Sequence, residues 1–126
     1  MAKLFTKDQL PHFNSTRDTR DRLDLVTENV PVGATRLRAD RIIYHPGDTC
    51  AKHYHLGCHH VFIILEGEGL LFGPENSRTR LKPGMIAIVA PEELHWFEND
   101  LEANFKFIEF WAPPPVETVW IIEDDT

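Results

Sequence analysis

The chain has 126 residues, 42% of them hydrophobic and 26% charged, and a formal charge of −7 with its histidines neutral. That length suits one domain, the apolar fraction can fill a core, and the acidic balance argues against nucleic acid as a partner. The longest run of Val, Ile, Leu and aromatic residues is Val61–Leu65, where a membrane helix needs about 20 residues. With no signal-like apolar stretch in Met1–Phe13, a cytoplasmic protein that does not touch membrane is expected.

Residues 1–34 read as a polar, irregular N-terminal arm that ends at Pro31-Val32-Gly33. Asp18–Val26 offers at most a turn or two of helix, without a clean apolar face. The arginines at 17, 20, 22, 36, 38 and 41 are interleaved with Asp18, Asp21, Asp24 and Asp40, which reads as a self-compensated surface. From Thr35 the chain becomes strand-like runs: Thr35–His45, His60–Phe72, Arg78–Leu81, Met85–Ala90, His95–Phe97 and Asn104–Trp111. Gly and Pro punctuate them at Pro46-Gly47-Asp48, Glu66–Gly69, Gly73–Ser77, Lys82-Pro83-Gly84 and Pro91-Glu92-Glu93. Short strands at this spacing predict an all-β sandwich or barrel over 35–112. Residues 113–126 begin Pro113-Pro114-Pro115, which cannot continue a central strand. They then present Val119-Trp120-Ile121-Ile122, four large apolar residues that need cover from the barrel or from a partner chain.

The histidines carry the chemistry. His53 and His55 are two residues apart, so on a strand both rings share one face, roughly 6–7 Å apart. Two imidazoles so placed suit one metal ion, although an H-x-H pair also occurs on solvent faces and in hydrogen-bonded cores. His60 opens the next run, with Phe62 and Ile64 on its face, and His95 shares a face with Phe97 and Asn99. His12 and His45 read as surface residues. Cys50 and Cys58 flank the H-x-H pair, but a zinc knuckle separates its ligand pairs by a dozen or so residues. Here the pairs interleave, so free thiols are expected, with Cys58 close enough to His60 to line a cavity.

Gly47, His53, His55, His60 and Gly67 at these spacings resemble the first sequence motif of the cupin superfamily. Gly84, Pro91, His95 and Asn99 resemble the second, with the proline displaced by one position and Glu93 where the motif has glycine. The resemblance spans roughly residues 36–112. It implies a double-stranded β-helix, or jelly-roll, barrel holding one divalent transition metal. His53, His55 and His95 match the family's three histidine ligands. His60 stands where the family has glutamate, so the resemblance implies a four-histidine site. Four neutral nitrogens would leave the dication's charge uncancelled, strengthen it as a Lewis acid, and suit Zn, Fe, Ni or Cu.

Strand parity predicts a pocket lined by Phe62, Ile64, Phe97 and Phe107. Glu109 faces inward if Phe105 and Phe107 do, as a candidate acid or base; the preferred alternative turns Ile108 and Phe110 inward and Glu109 to solvent. Tyr44 is a second candidate proton donor. An aromatic pocket suits a small apolar or polyketide-like ligand better than a sugar phosphate. Two function classes follow. One is a metal-dependent enzyme, either a Lewis-acid cyclase or isomerase or an O₂-dependent dioxygenase, and the chain leans to this class. The other is a non-catalytic cupin binding a small molecule or metal. Small cupins pair across two-fold axes, and with the apolar tail this makes a homodimer the expected assembly.

Overall fold

In the computed structural model the described residues are 4–13, 20–26, 37–114 and 117–121, and they are almost entirely strand. Pro31-Val32-Gly33, Arg17, Arg36 and the last five residues lie outside them. The strands are β1 (His12–Phe13), β2 (Asp21–Val26), β3 (Arg38–Tyr44), β4 (His53–Leu56), β5 (His59–Glu66) and β6 (Gly69–Phe72). They continue with β7 (Arg78–Leu81), β8 (Ile86–Val89), β9 (Trp96–Glu98), β10 (Phe105–Ala112) and β11 (Glu117–Trp120).

A six-stranded sheet runs β1-β2-β3-β10-β5-β8, faced by a three-stranded sheet β7-β6-β9 and the pair β11-β4. All pairings are antiparallel. Bridges between His53 and His95 and between Thr49 and Glu98 join the smaller units. This is the double-stranded β-helix expected from the sequence.

Alternation decides which side chains fill it. On β3, Ile42 and Tyr44 point inward; on β5, His60, Phe62 and Ile64; on β10, Phe105, Phe107, Glu109 and Trp111. Phe62, Phe97, Phe105, Phe107 and Tyr44 meet at ring-centroid distances of 4.7–6.5 Å. A barrel this small is plugged by its own side chains. The four residues expected to line a pocket, Phe62, Ile64, Phe97 and Phe107, all belong to this packed core, and Phe62 also meets the His60 ring at 4.1 Å. Gly67, at φ +68°, closes the β5–β6 turn against the Asn104 carbonyl, where a Cβ would collide. Asn99 ties the same end, donating to the carbonyls of Tyr44 and Ala103 and accepting from Leu101 N–H.

Two expectations about the ends change. Asp21–Val26 is a strand, not a helical turn: β2 pairs with β3 and brings Arg22 and Asp24 opposite Ile42 and Asp40. So 1–34 is not an irregular arm throughout; its described part supplies β1 and β2 to the large sheet. At the other end β11 pairs with β4 of the same chain, which half-buries Val119 and Trp120. Neither cysteine forms a disulfide among the described residues, and both are buried.

Candidate metal centre

β4 carries His53 and His55 on its inner face because an H-x-H spacing on a strand must place both rings on one side. Reciprocal backbone hydrogen bonds, His53 N to His95 O at 3.1 Å and His95 N to His53 O at 2.9 Å, pin His95 beside them. Among the described residues these three form the one group able to hold a metal ion, with one nitrogen from each within 4.8 Å of the others. All three are buried.

Each ring is held from behind. His53 Nδ1 donates to Ala51 O at 2.7 Å, His95 Nδ1 donates to Glu93 O at 3.0 Å, and His55 Nδ1 meets Thr118 Oγ1 at 2.8 Å. His55 Nε2 and His95 Nε2 are buried without a hydrogen-bond partner. Burial lowers these imidazoles from 6.5 to about 4 for His53, about 3 for His55 and about 2 for His95, aided by the neighbouring histidines. The rings are therefore neutral at physiological pH, the form in which imidazole ligates metal.

His60 lies beside this group but outside it. Its ring is 4.9 Å from His55 and 5.4 Å from His95, a spacing like that within the group (4.3–5.3 Å). Its Nε2 contacts Glu109 Oε2 at 2.9 Å, and its Nδ1 is buried without a partner. Burial lowers its pKa although Glu109 pulls the other way. His60 packs on Trp111 at 4.3 Å and Phe62 at 4.1 Å, while Trp120 covers His53 at 4.6 Å.

Glu109 faces inward and is fully buried, which overturns the preferred parity with Ile108 and Phe110 inside. Burial by itself would raise its carboxyl, but the Arg20 guanidinium at 3.4 Å and His60 hold it well below the usual range. Tyr44 does not reach the histidines. It stacks on Phe107 in the aromatic core, and burial, with Cys50 beside it, pushes its phenol well above 10. Not foreseen from the sequence is a largely buried charged cluster on the sheet beside the histidines, formed by Arg20, Arg22, Asp24, Arg38, Asp40 and Glu109. There Arg22 meets Asp24 at 3.0 Å and Arg38 caps Trp111 at 4.5 Å. Thr118 and Trp120 were also missed, since no motif marks them.

The donor set fits a metal: three clustered neutral imidazoles, two of them presenting unpartnered buried nitrogens. A buried polar atom without a partner is rare enough to need a reason.

Comparison with known proteins agrees. The cupin domain family matches residues 40–111. No curated protein sequence matches the chain. Among solved structures, the polyketide cyclase RemF from Streptomyces resistomycificus superposes with a TM-score of 0.84 at 17% identity, over 99% of this chain and 89% of its own. A sugar phosphate isomerase from Silicibacter pomeroyi gives 0.77 at 17%, over 97% and 83%. A protein with a double-stranded β-helix domain from Klebsiella pneumoniae gives 0.73 at 20%, over 98% and 100%.

Proposed function

This chain belongs to the cupin superfamily, and on that footing we propose that it is a metal-dependent enzyme acting on a small, largely apolar or aromatic organic molecule. His53, His55 and His95 would hold a single divalent transition metal, with His60 as a fourth donor through Nδ1. The observation that carries this reading is the set of partnerless buried nitrogens on His55, His60 and His95. Leaving each unpaired costs about 1–3 kcal/mol, and a metal ion removes that cost. An all-nitrogen set suits Zn, Ni, Cu or Fe(II).

Such an ion, when bound, supplies Lewis acidity to a carbonyl or enol oxygen. The chain supplies the rest. Phe62, Trp111 and Trp120 give flat apolar surfaces around the histidines, which favours a planar ligand. The buried Trp111 Nε1–H lacks a hydrogen-bond partner and can donate to a substrate oxygen. Glu109 holds His60 in one tautomer, and Arg20 keeps Glu109 ionised. Arg20 is engaged with Glu109 and Arg38 with Trp111, which disfavours a sugar phosphate. The likeness to a polyketide cyclase supports cyclisation or isomerisation of a polyketide-like molecule by analogy of fold alone.

The test is elemental analysis of tag-free protein purified without chelator, followed by a thermal-shift screen of phenolic and β-dicarbonyl compounds with and without metal. Roughly one metal per chain and a hit that needs the metal and is turned over are expected. A metal-dependent hit bound without turnover would make the protein a binding module, and no metal after reconstitution would end the reading.

A further inference from the structure

The three clustered histidines are not held alike. Ala51 O and Glu93 O are carbonyls and can only accept, so His53 and His95 must carry their protons on Nδ1. That leaves their Nε2 lone pairs for the site. His55 Nδ1 faces a hydroxyl instead, Thr118 Oγ1 at 2.8 Å. A hydroxyl can accept or donate. When it accepts, His55 Nε2 carries a lone pair; when it donates, Nε2 carries the proton and the centre loses a donor.

The group that makes this choice comes from the far end of the chain. Thr118 lies on β11, directly opposite His55 in the register, and β11 is hydrogen-bonded to β4 alone among the described strands. Trp120, next on the same face of β11, sits opposite His53 with its ring 4.6 Å from the imidazole. One short strand thus backs two of the three clustered histidines.

We propose that Thr118 is a positioning residue of the metal centre: its hydroxyl accepts from His55 Nδ1, and docking of the C-terminal strand and metal uptake form one coupled equilibrium. The proposal rests on reading the histidines as a metal centre. Because coupling is reciprocal, metal must tighten β11 as much as β11 tightens metal.

Zinc titration of wild type, Thr118→Ser and Thr118→Val tests it, together with imidazole ¹⁵N spectra of the metal-free proteins and amide exchange of residues 117–120. Loss of a hydrogen-bond partner behind a ligand typically costs 10–100-fold in metal affinity. Thr118→Val should therefore bind zinc at least about tenfold more weakly, and its His55 should populate both tautomers. Thr118→Ser should stay within about threefold of wild type. Zinc should slow exchange in β11 of the wild type. Unchanged zinc affinity in a folded Thr118→Val overturns the role while leaving the metal centre intact. Should Thr118→Val fail to fold, β11 exchange in wild type decides: no slowing by zinc overturns the coupling. A wild type that takes up none of zinc, nickel, copper or iron(II) overturns the metal centre, and this role with it.

Discussion

His60 donates its Nε2–H to Glu109 Oε2 at 2.9 Å, and both side chains are almost wholly buried. Glu109 is ionised and can only accept, so the His60 proton is fixed on Nε2 and the lone pair on Nδ1. We propose that His60 serves where the cupin motif has glutamate, with the Glu109 carboxylate behind its ring from β10. A carboxylate behind a ligating imidazole raises its basicity. His60→Ala should lower metal affinity at least about tenfold with the fold retained, and Glu109→Gln should lower it by a similar factor. His60→Glu should restore binding, because a carboxylate oxygen reaches the same ion at a similar distance. Isothermal titration with zinc measures all three. Undiminished affinity in His60→Ala would leave His53, His55 and His95 as the whole first shell and make His60 a proton-transfer group beside it.

The metal-free protein should lose stability as pH falls. In the unfolded chain the histidines titrate near 6.5, while burial depresses them in the fold to about 4, 3 and 2 for His53, His55 and His95. Between those values the unfolded state binds more protons, so stability rises with pH through this window and drops on acidification. Asp40 works in the opposite sense. Burial and the facing Glu109 raise it from 3.8 to about 8, so its contribution declines as pH climbs toward 8. Three groups outweigh one below pH 6.5. Scanning fluorimetry of metal-free protein should show a Tm lower at pH 5 than at pH 7 by at least about 5 °C. A flat profile would contradict the buried, neutral histidines.

Zinc should raise Tm more at pH 7 than at pH 5, because protons compete for the same nitrogens. Equal shifts at the two pH values would place the ion away from these rings.

The barrel was legible because its punctuation is local. Gly47, Gly67 and Gly84 adopt positive φ where the turns were expected, and β4 and β5 between the first two alternate cleanly. His53 and His55 were legible because H-x-H parity needs only a strand, and His95 because it matches the second cupin motif. The charged cluster was not. Asp24, Asp40 and Glu109 point inward, opposite a reading that sends charge to solvent: Glu109 is met by Arg20 from 89 residues away, while Asp24 and Asp40 pair with Arg22 and Arg38 two residues along their own strands, the interleaving that reads as a self-compensated surface. That also hid β2: its inward residues are Arg22 and Asp24, so the alternation does not register as hydrophobic. Thr118 was invisible for a related reason, since its partner lies 63 residues away.

The expected homodimer now has a different surface behind it. The C-terminal apolar run is engaged with its own β4 as far as Trp120, so it no longer calls for a partner. The outer face of the large sheet does. Ile86 and Ile88 on the edge strand β8 are 64% and 63% exposed, and they pair with Ile63 and Val61, which in turn face Ile108 and Phe110. A contiguous aliphatic face of this kind marks an association surface. We expect light scattering to give twice 14.6 kDa at micromolar concentration. Ile86→Lys with Ile88→Lys should halve that mass without changing zinc affinity. A wild-type mass of 14.6 kDa would refute the dimer.

Trp111 should govern ligand affinity without governing metal. Its ring stacks on His60 at 4.3 Å and 21°, Arg38 caps it at 4.5 Å, and its Nε1–H is buried without a hydrogen-bond partner. An unpaired buried donor costs the folded protein about 1–3 kcal/mol, and a ligand oxygen that accepts from it returns that energy on binding. Trp111→Phe keeps most of the aromatic contact and removes the donor. It should leave Tm within a few degrees and zinc content unchanged. It should weaken a metal-dependent ligand from the thermal-shift screen by about 5–30-fold, the equivalent of roughly 1–2 kcal/mol. The comparison is made by calorimetry on zinc-loaded protein. Equal ligand affinity in the two proteins would show that the indole N–H does not face the bound molecule, leaving Trp111 as a wall for His60 alone.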